Sequence, residues 1–147
     1  SHLASFQAGV DAAMALQQTE NKNKHELIAA LTTKLNALSA ADGKQDAEMD
    51  ALEEAYKANP NSFYIIDSLA WAHFKKNNLS EAARLMEKVI DISPGEAISL
   101  DHLGDIYYAM NRKREAIHFW QQALELAEPE DEITEDVQSK LDNINAG

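Results

Sequence analysis

The sequence contains no cysteine, which excludes disulfide bonds and thiolate metal sites but leaves the redox compartment open. Proline and glycine are scarce, with three and five residues in 147, so few positions interrupt a helix. Basic residues are outnumbered 13 to 25 by acidic ones, and the net charge of −12 disfavours nucleic acid or anionic lipid as a partner. No apolar run approaches the ~20 residues that span a bilayer. We expect a soluble domain whose partner is another protein, basic or neutral in charge.

What the sequence does contain is helical periodicity. Apolar residues recur at intervals of three and four, which is the spacing of one helix face and predicts an all-α protein. Residue size also repeats every 34 positions. The repeated pairs are Leu69/Leu103, Ala70/Gly104, Glu81/Glu115, Ala82/Ala116, Met86/Trp120 and Val89/Ala123. A period of this length is typical of a helical repeat array, which binds through a surface.

The period defines two helix-turn-helix repeats, residues 63–96 and 97–130, with turns at Asn77 and Asn111. Two antiparallel helices approach closely only where small residues stand at their crossing, and larger residues then fill the space between successive pairs. The small positions are Ala70, Gly104, Ala82 and Ala116, and the bulky ones are Met86 and Trp120.

These residues resemble the tetratricopeptide (TPR) consensus W-x2-L-G-x2-Y, A-x3-F and P. The segments 67–71 and 101–105 look like the terminal repeats of bacterial TPR proteins. Departures are Ile66 and Leu100 where the pattern has Trp, and His73 where it has Tyr. Glu128 also stands where the pattern has Pro, and Pro129 follows one place late. The resemblance implies an α-solenoid that acts as a non-catalytic scaffold or adaptor.

The rest of the chain is assigned to the same domain. Residues 1–62 form a diverged helical region that includes a degenerate repeat at about 29–62, where Leu35, Gly43, Leu52, Ala55 and Pro60 fit the period. Ahead of it we predict a helix over residues 3–18, with Phe6, Val10, Ala13 and Met14 on one side, and a polar loop over 19–24. Residues 131–147 form a capping helix with one apolar stripe, namely Ile133, Val137, Leu141 and Ile144.

The TPR resemblance implies that the first helix of each repeat lines a concave groove. Residues off the packing stripe would then face a partner: Tyr64, Asp67, Trp71, Phe74, Lys75, Ile98, Asp101, Asp105 and Tyr108. Aromatic side chains among carboxylates suit an extended or helical segment that carries Lys or Arg. The same acids would repel the C-terminal carboxylate that some TPR proteins capture with Lys, Arg and Asn. The alternative, that Trp71, Phe74 and Tyr108 pack against neighbouring helices, stays open.

Enzymatic chemistry has little support in the sequence. No two of the five histidines have the spacing of H-E-x-x-H, and there is no Gly-rich phosphate loop or G-x-S-x-G motif. His102 and Asp105 share a helix face, where a structural hydrogen bond is favoured over a metal ligand because two residues do not complete a site. We predict no catalytic residue, no metal and no cofactor.

The leading hypothesis is therefore a protein-interaction module that binds a peptide or partner protein in its groove. The alternative is a structural role, in which the chain caps a longer array or self-associates, with the helix in residues 3–28 exchanged or paired between copies. Because the chain begins at Ser1 and not at Met, a leader, an anchor or further repeats could precede it. The compartment, bacterial cytoplasm or periplasm, is left undecided.

Overall fold

The computed structural model describes residues 2–37, 44–128 and 131–146, with side chains for all of these except 2–3, 13–22, 44–46 and 146. This part of the chain is entirely helical apart from turns. Its seven helices are α1 (His2–Ala37), α2 (Lys44–Ala58), α3 (Phe63–Lys75), α4 (Leu79–Ile92), α5 (Ala97–Ala109), α6 (Lys113–Leu126) and α7 (Glu132–Ala146).

Helices α3 and α4 form one antiparallel pair, and α5 and α6 form the next. Both turns are closed by an asparagine with positive φ, Asn77 at 66° and Asn111 at 62°. Asparagine tolerates this left-handed conformation better than most residues do, which explains why it stands at both positions. The following amide reaches back to the helix in each case, Asn78 to the His73 carbonyl at 2.8 Å and Arg112 to the Tyr107 carbonyl at 2.9 Å. The predicted turns are confirmed.

The repeats stack because α4 packs against α5. Ala70, Ala82 and Ala116 are completely buried, as expected for residues at helix crossings. Met86 is fully buried and Trp120 is 3% exposed, so the bulky residues of the 34-residue period do fill the core. The all-α solenoid that the sequence predicts is thus the fold.

Helix α1 is continuous, and the predicted loop over residues 19–24 is wrong. The prediction relied on the absence of an apolar stripe there, but that stretch contains neither Gly nor Pro, so no residue forces the helix to end. Leu3, Ala13 and Met14 have side chains outside the described set. Their predicted place on one side with Phe6 and Val10 remains a prediction.

The second half of α1 lies on the repeats. Lys24 is placed over the Phe63 ring at 5.6 Å, and further along Asn36 bonds Trp71, so α1 and α3 run parallel. Helix α2 also packs on α3, and Leu35 and Leu52 are buried. The degenerate repeat at about 29–62 stays a prediction, since Gly43 lies outside the described residues.

Helix α7 packs on α6 and α5 and covers the open side of the second repeat. Val137 is fully buried, Leu141 is 5% exposed, and Ile133 and Ile144 lie against the same core. The predicted end of the second repeat, at residue 130, falls outside the described residues. None of the described helices combines the length and hydrophobicity that crossing a lipid bilayer requires.

Candidate functional site

The concave side of the repeats forms a narrow cleft. Helices α3 and α5 make its floor, while α1 and α7 form its two walls. Its volume is about 220 Å³. The lining residues are Ala29, Thr32, Thr33 and Asn36 on α1, Trp71, Ile98, Asp101, His102 and Asp105 on the floor, and Glu132, Ile133, Asp136 and Lys140 on α7.

Three carboxylates of this cleft share one lysine. The ammonium nitrogen of Lys140 lies 2.8 Å from Asp101, 3.0 Å from Asp105 and 3.1 Å from Asp136. Burial alone would lower the pKa of Lys140, but the charges of Asp101 and Asp105 outweigh it and raise that pKa. The lysine therefore stays charged and neutralises only part of the surrounding negative charge.

Asp105 differs from the other two carboxylates because it also contacts an indole ring. It accepts a hydrogen bond from the indole nitrogen of Trp120 at 3.2 Å, and the Lys140 ammonium lies 5.9 Å from the centre of the same indole. Burial, followed by the charge of Asp101, raises the pKa of Asp105 to about 6, against the opposing effect of Lys140.

A raised carboxyl pKa has a definite consequence for stability. The stabilising contribution of Asp105 is complete below its unfolded pKa of about 4 and is lost as the pH rises through about 6. As the pH rises from 4 to 7, the free energy of unfolding of Asp105→Asn is therefore expected to increase by about 1–2 kcal/mol relative to that of the native chain. Urea unfolding across that range measures the gain. Asp136→Asn removes an exposed carboxylate from the same lysine, and an equal gain there would contradict burial as the cause.

Trp71 forms the centre of the cleft floor. Its ring stacks between Phe74, with centroids 4.6 Å apart, and His102, with centroids 4.1 Å apart. Its indole nitrogen donates a hydrogen bond to Asn36 on α1 at 2.8 Å. Trp71 is 6% exposed, so it lines the cleft with one small patch while it holds α1 to α3.

Asp67 is not on the cleft surface, although the sequence analysis places it there. It is completely buried between α3 and α5, where it accepts a hydrogen bond from the Ser99 hydroxyl at 2.6 Å. Nδ1 of His102 lies 3.1 Å and 3.2 Å from its two carboxylate oxygens. Burial alone would lower the pKa of His102, but the charge of Asp67 outweighs it and raises that pKa. Asp67 thus joins two repeats.

The partner of His102 differs from the one expected, because the sequence suggested Asp105 on the same helix. Asp67 lies 35 residues upstream, one repeat length plus one residue. Two such residues stand on neighbouring first helices, so the repeat period itself contained a signal for this contact. Among the described residues, no group of three or more His, Asp or Glu side chains is arranged to hold a metal ion.

Four further predicted residues lie outside the cleft lining, and Phe74, which stacks on Trp71, is one of them. Tyr64 is half-buried beside Phe63 at the start of α3, and Lys75 is exposed at its end. Tyr108 is 50% exposed and leans on Trp120 with ring centroids 5.7 Å apart. It lines an adjacent pocket of about 300 Å³ with Asn143 and Ile144, and this pocket shares Asp105 and Lys140 with the cleft.

Helix α1, one wall of the cleft, is held to the repeats by a contact that the sequence did not predict. Nδ1 of His25 on α1 lies 2.5 Å from the carboxylate of Glu96, which also caps the start of α5. The hydrogen bond to Glu96 raises the pKa of His25 against the effect of its partial burial. No periodic feature marks either residue, because the pairing depends on how α1 crosses the repeats.

Comparison with known families agrees with this architecture. The tetratricopeptide repeat pattern matches residues 97–129, and a second tetratricopeptide repeat pattern matches residues 64–93. The chain thus contains two tetratricopeptide repeats, a kind of repeat that is typical of protein-interaction modules. No curated protein matches the sequence. The bacterial assignment stays a prediction.

Solved structures share the fold. One is the first TPR of Spaghetti (RPAP3) bound to the HSP90 peptide SRMEEVD, with a TM-score of 0.63 and 20% identity, covering 83% of this chain and 95% of that one. Another is a mutant of the Thermobaculum terrenum O-GlcNAc transferase, with a TM-score of 0.62 and 23% identity, covering 80% of this chain. The match spans only 22% of the transferase chain.

Proposed function

We propose that this protein is a non-catalytic adaptor whose cleft between α1 and α7 receives a Lys or Arg side chain from a partner protein. The observation that carries the proposal is the shortage of positive charge in the cleft. Asp101, Asp105 and Asp136 share Lys140, and Glu132 adds a fourth carboxylate at the lining. A cationic guest would complete this partly neutralised site with charge-assisted hydrogen bonds.

The size of the cleft narrows the kind of guest. An α-helix with its side chains is about 10–12 Å across, so a space of about 220 Å³ between two walls accepts a side chain and not a helix. Of the extended and helical segments that the sequence allows as partners, the proposal therefore keeps the extended one. The neighbouring pocket at Tyr108 and Ile144 would take an apolar residue of the same segment.

The predicted site residues then have different roles. Asp101 and Asp105 would bind the cation together with Asp136, and Trp71 would contact its alkyl part. Phe74 supports Trp71 by stacking. Asp67 acts indirectly, because it fixes His102 beneath Trp71.

Peptide display tests the proposal. Selection of random peptides on the native chain is expected to enrich Lys or Arg followed or preceded by an apolar residue. The variant Glu132→Lys with Asp136→Lys should bind the selected peptide roughly tenfold more weakly, a change of about 1.4 kcal/mol. Both residues are exposed, so helicity and melting should change little.

A matched variant controls for total charge. Asp91→Lys with Glu125→Lys changes the net charge equally on α4 and α6, away from the cleft, and should retain the peptide. Equal losses in both variants would mean that binding follows overall charge and not the cleft. Enrichment of acidic peptides would also reject the proposal.

The alternative role, self-association or capping of a longer array, uses a different surface. It is supported by the exposed side chains of residues 4–12 on α1, none of which lines the cleft.

A further inference from the structure

The first half of α1 is a helix that extends beyond the repeats. Lys24 and His25, in the second half of α1, contact the repeats. Side chains 4–12 are all exposed. Phe6 is 70% exposed and Val10 36%, and they stand four residues apart on one helix face. A methyl group added at Gly9 would meet no atom within 4 Å.

This segment contains very few charged residues. Asp11 is the only Asp, Glu, Lys or Arg in residues 1–19, although the chain has 25 acidic and 13 basic residues. Almost all of the net charge of −12 therefore belongs to the repeat body and its caps. Two copies of such a protein repel each other overall through their negative bodies, and this nearly uncharged helix adds little to that repulsion.

We infer that residues 2–19 of α1 pair antiparallel with the same residues of a second copy, through the face that carries Phe6 and Val10. The two strongly negative bodies decide the direction. In an antiparallel pair centred on Val10, the positions of Lys24 in the two copies are about 42 Å apart at 1.5 Å per residue. That distance is several times the screening length of about 8 Å, so the bodies hardly repel each other.

A parallel pair would place the same two positions within about 10 Å and bring the two bodies together. The contact is short and contains few large apolar residues, so the dimer is expected to be weak and reversible, at the small end of specific interfaces.

Molar mass measured against concentration tests the association. Light scattering on the full chain should show a rise from one chain of 16.3 kDa toward two between micromolar and millimolar concentration. Phe6→Gln with Val10→Gln should abolish the rise. Ile92→Gln with Leu126→Gln removes two other exposed apolar side chains, at 38% and 47% exposure, and should leave it unchanged. A chain that stays monomeric throughout, or a rise that survives the Phe6 and Val10 changes, would overturn the inference.

The absence of cysteine allows the direction to be measured with one label. A spin label at Asn23→Cys, an exposed position, should give a distance between copies of roughly 40 Å in the antiparallel pair and about 10 Å in a parallel one. The short distance would reject the antiparallel arrangement. Circular dichroism of each variant confirms that the helices remain folded.

Discussion

Asp67→Ala is expected to lower the free energy of unfolding by about 3–5 kcal/mol, because it leaves the buried imidazolium of His102 without its counter-ion. Asp67 is completely buried and the His102 side chain is 4% exposed, so water cannot replace the carboxylate. The Ser99 hydroxyl loses its acceptor at the same time. Urea unfolding of the native chain and the variant measures the loss.

Two further variants separate the ion pair from simple packing. Asp67→Asn keeps the shape and an acceptor for Ser99 but removes the charge, so we expect a smaller loss than for Asp67→Ala. The double variant Asp67→Ala with His102→Ala should lose much less stability than the sum of the losses in the two single variants, because each change removes the same contact. Additive losses would mean that Asp67 does not act through His102.

The pH dependence of the loss has a definite sign. Asp67 raises the pKa of His102 in the folded protein, so the stabilisation is fully present below the unfolded histidine pKa of about 6.5. It is lost as the pH rises through the higher folded value. The difference between the native chain and Asp67→Ala should therefore be larger at pH 5 than at pH 9. An equal difference at both values would indicate that the histidine is uncharged in the fold.

The repeats could be predicted from the sequence because their packing follows from residue size at a fixed period. Ala82 and Ala116 occupy equivalent crossings, and Asn77 and Asn111 close equivalent turns. Each of these contacts lies within one repeat or between adjacent repeats. Local spacing therefore contains the necessary information.

The arrangement of the concave side could not be predicted in the same way. The sequence indicated that acidic and aromatic side chains would bind a cation from a partner. It did not show that Lys140 on α7 would bind Asp101 and Asp105 within the same chain. Nor did it show that α1 would cover Trp71 through Asn36. Both contacts depend on how the terminal helices cross the repeats. No period in the sequence reports that geometry.

Asp67 lies off the packing stripe of its first helix, and the TPR resemblance therefore predicts that it faces the groove. Carboxylates are buried only where they are paired. Here the pairing residues, Ser99 and His102, come from the next repeat. A prediction made for one repeat at a time therefore does not include Ser99 and His102.

Gly104→Ala is expected to destabilise the fold by up to about 3 kcal/mol, through overpacking against Trp120. A Cβ at residue 104 would lie 2.3 Å and 2.4 Å from ring atoms of Trp120, far inside normal contact distance. The indole is 3% exposed and bonded to Asp105, so it cannot move away freely. The loss outweighs the gain of about 1 kcal/mol that alanine normally brings to a helix. Urea unfolding gives the net effect.

The first repeat supplies the compensating change, because it combines Ala70 with Met86 where the second combines Gly104 with Trp120. Alanine at residue 104 should therefore cost little when Trp120→Met is already present, since the flexible thioether can yield where a rigid indole cannot. Gly9→Ala is the matched control in open space, where the same added methyl should stabilise the helix. If Gly104→Ala costs the same with Met at residue 120 as with Trp, the ring contact is not the reason for glycine. A cost that disappears with Met would show that one repeat unit accepts either a glycine with a tryptophan or an alanine with a methionine at its crossing, each pair filling the same space.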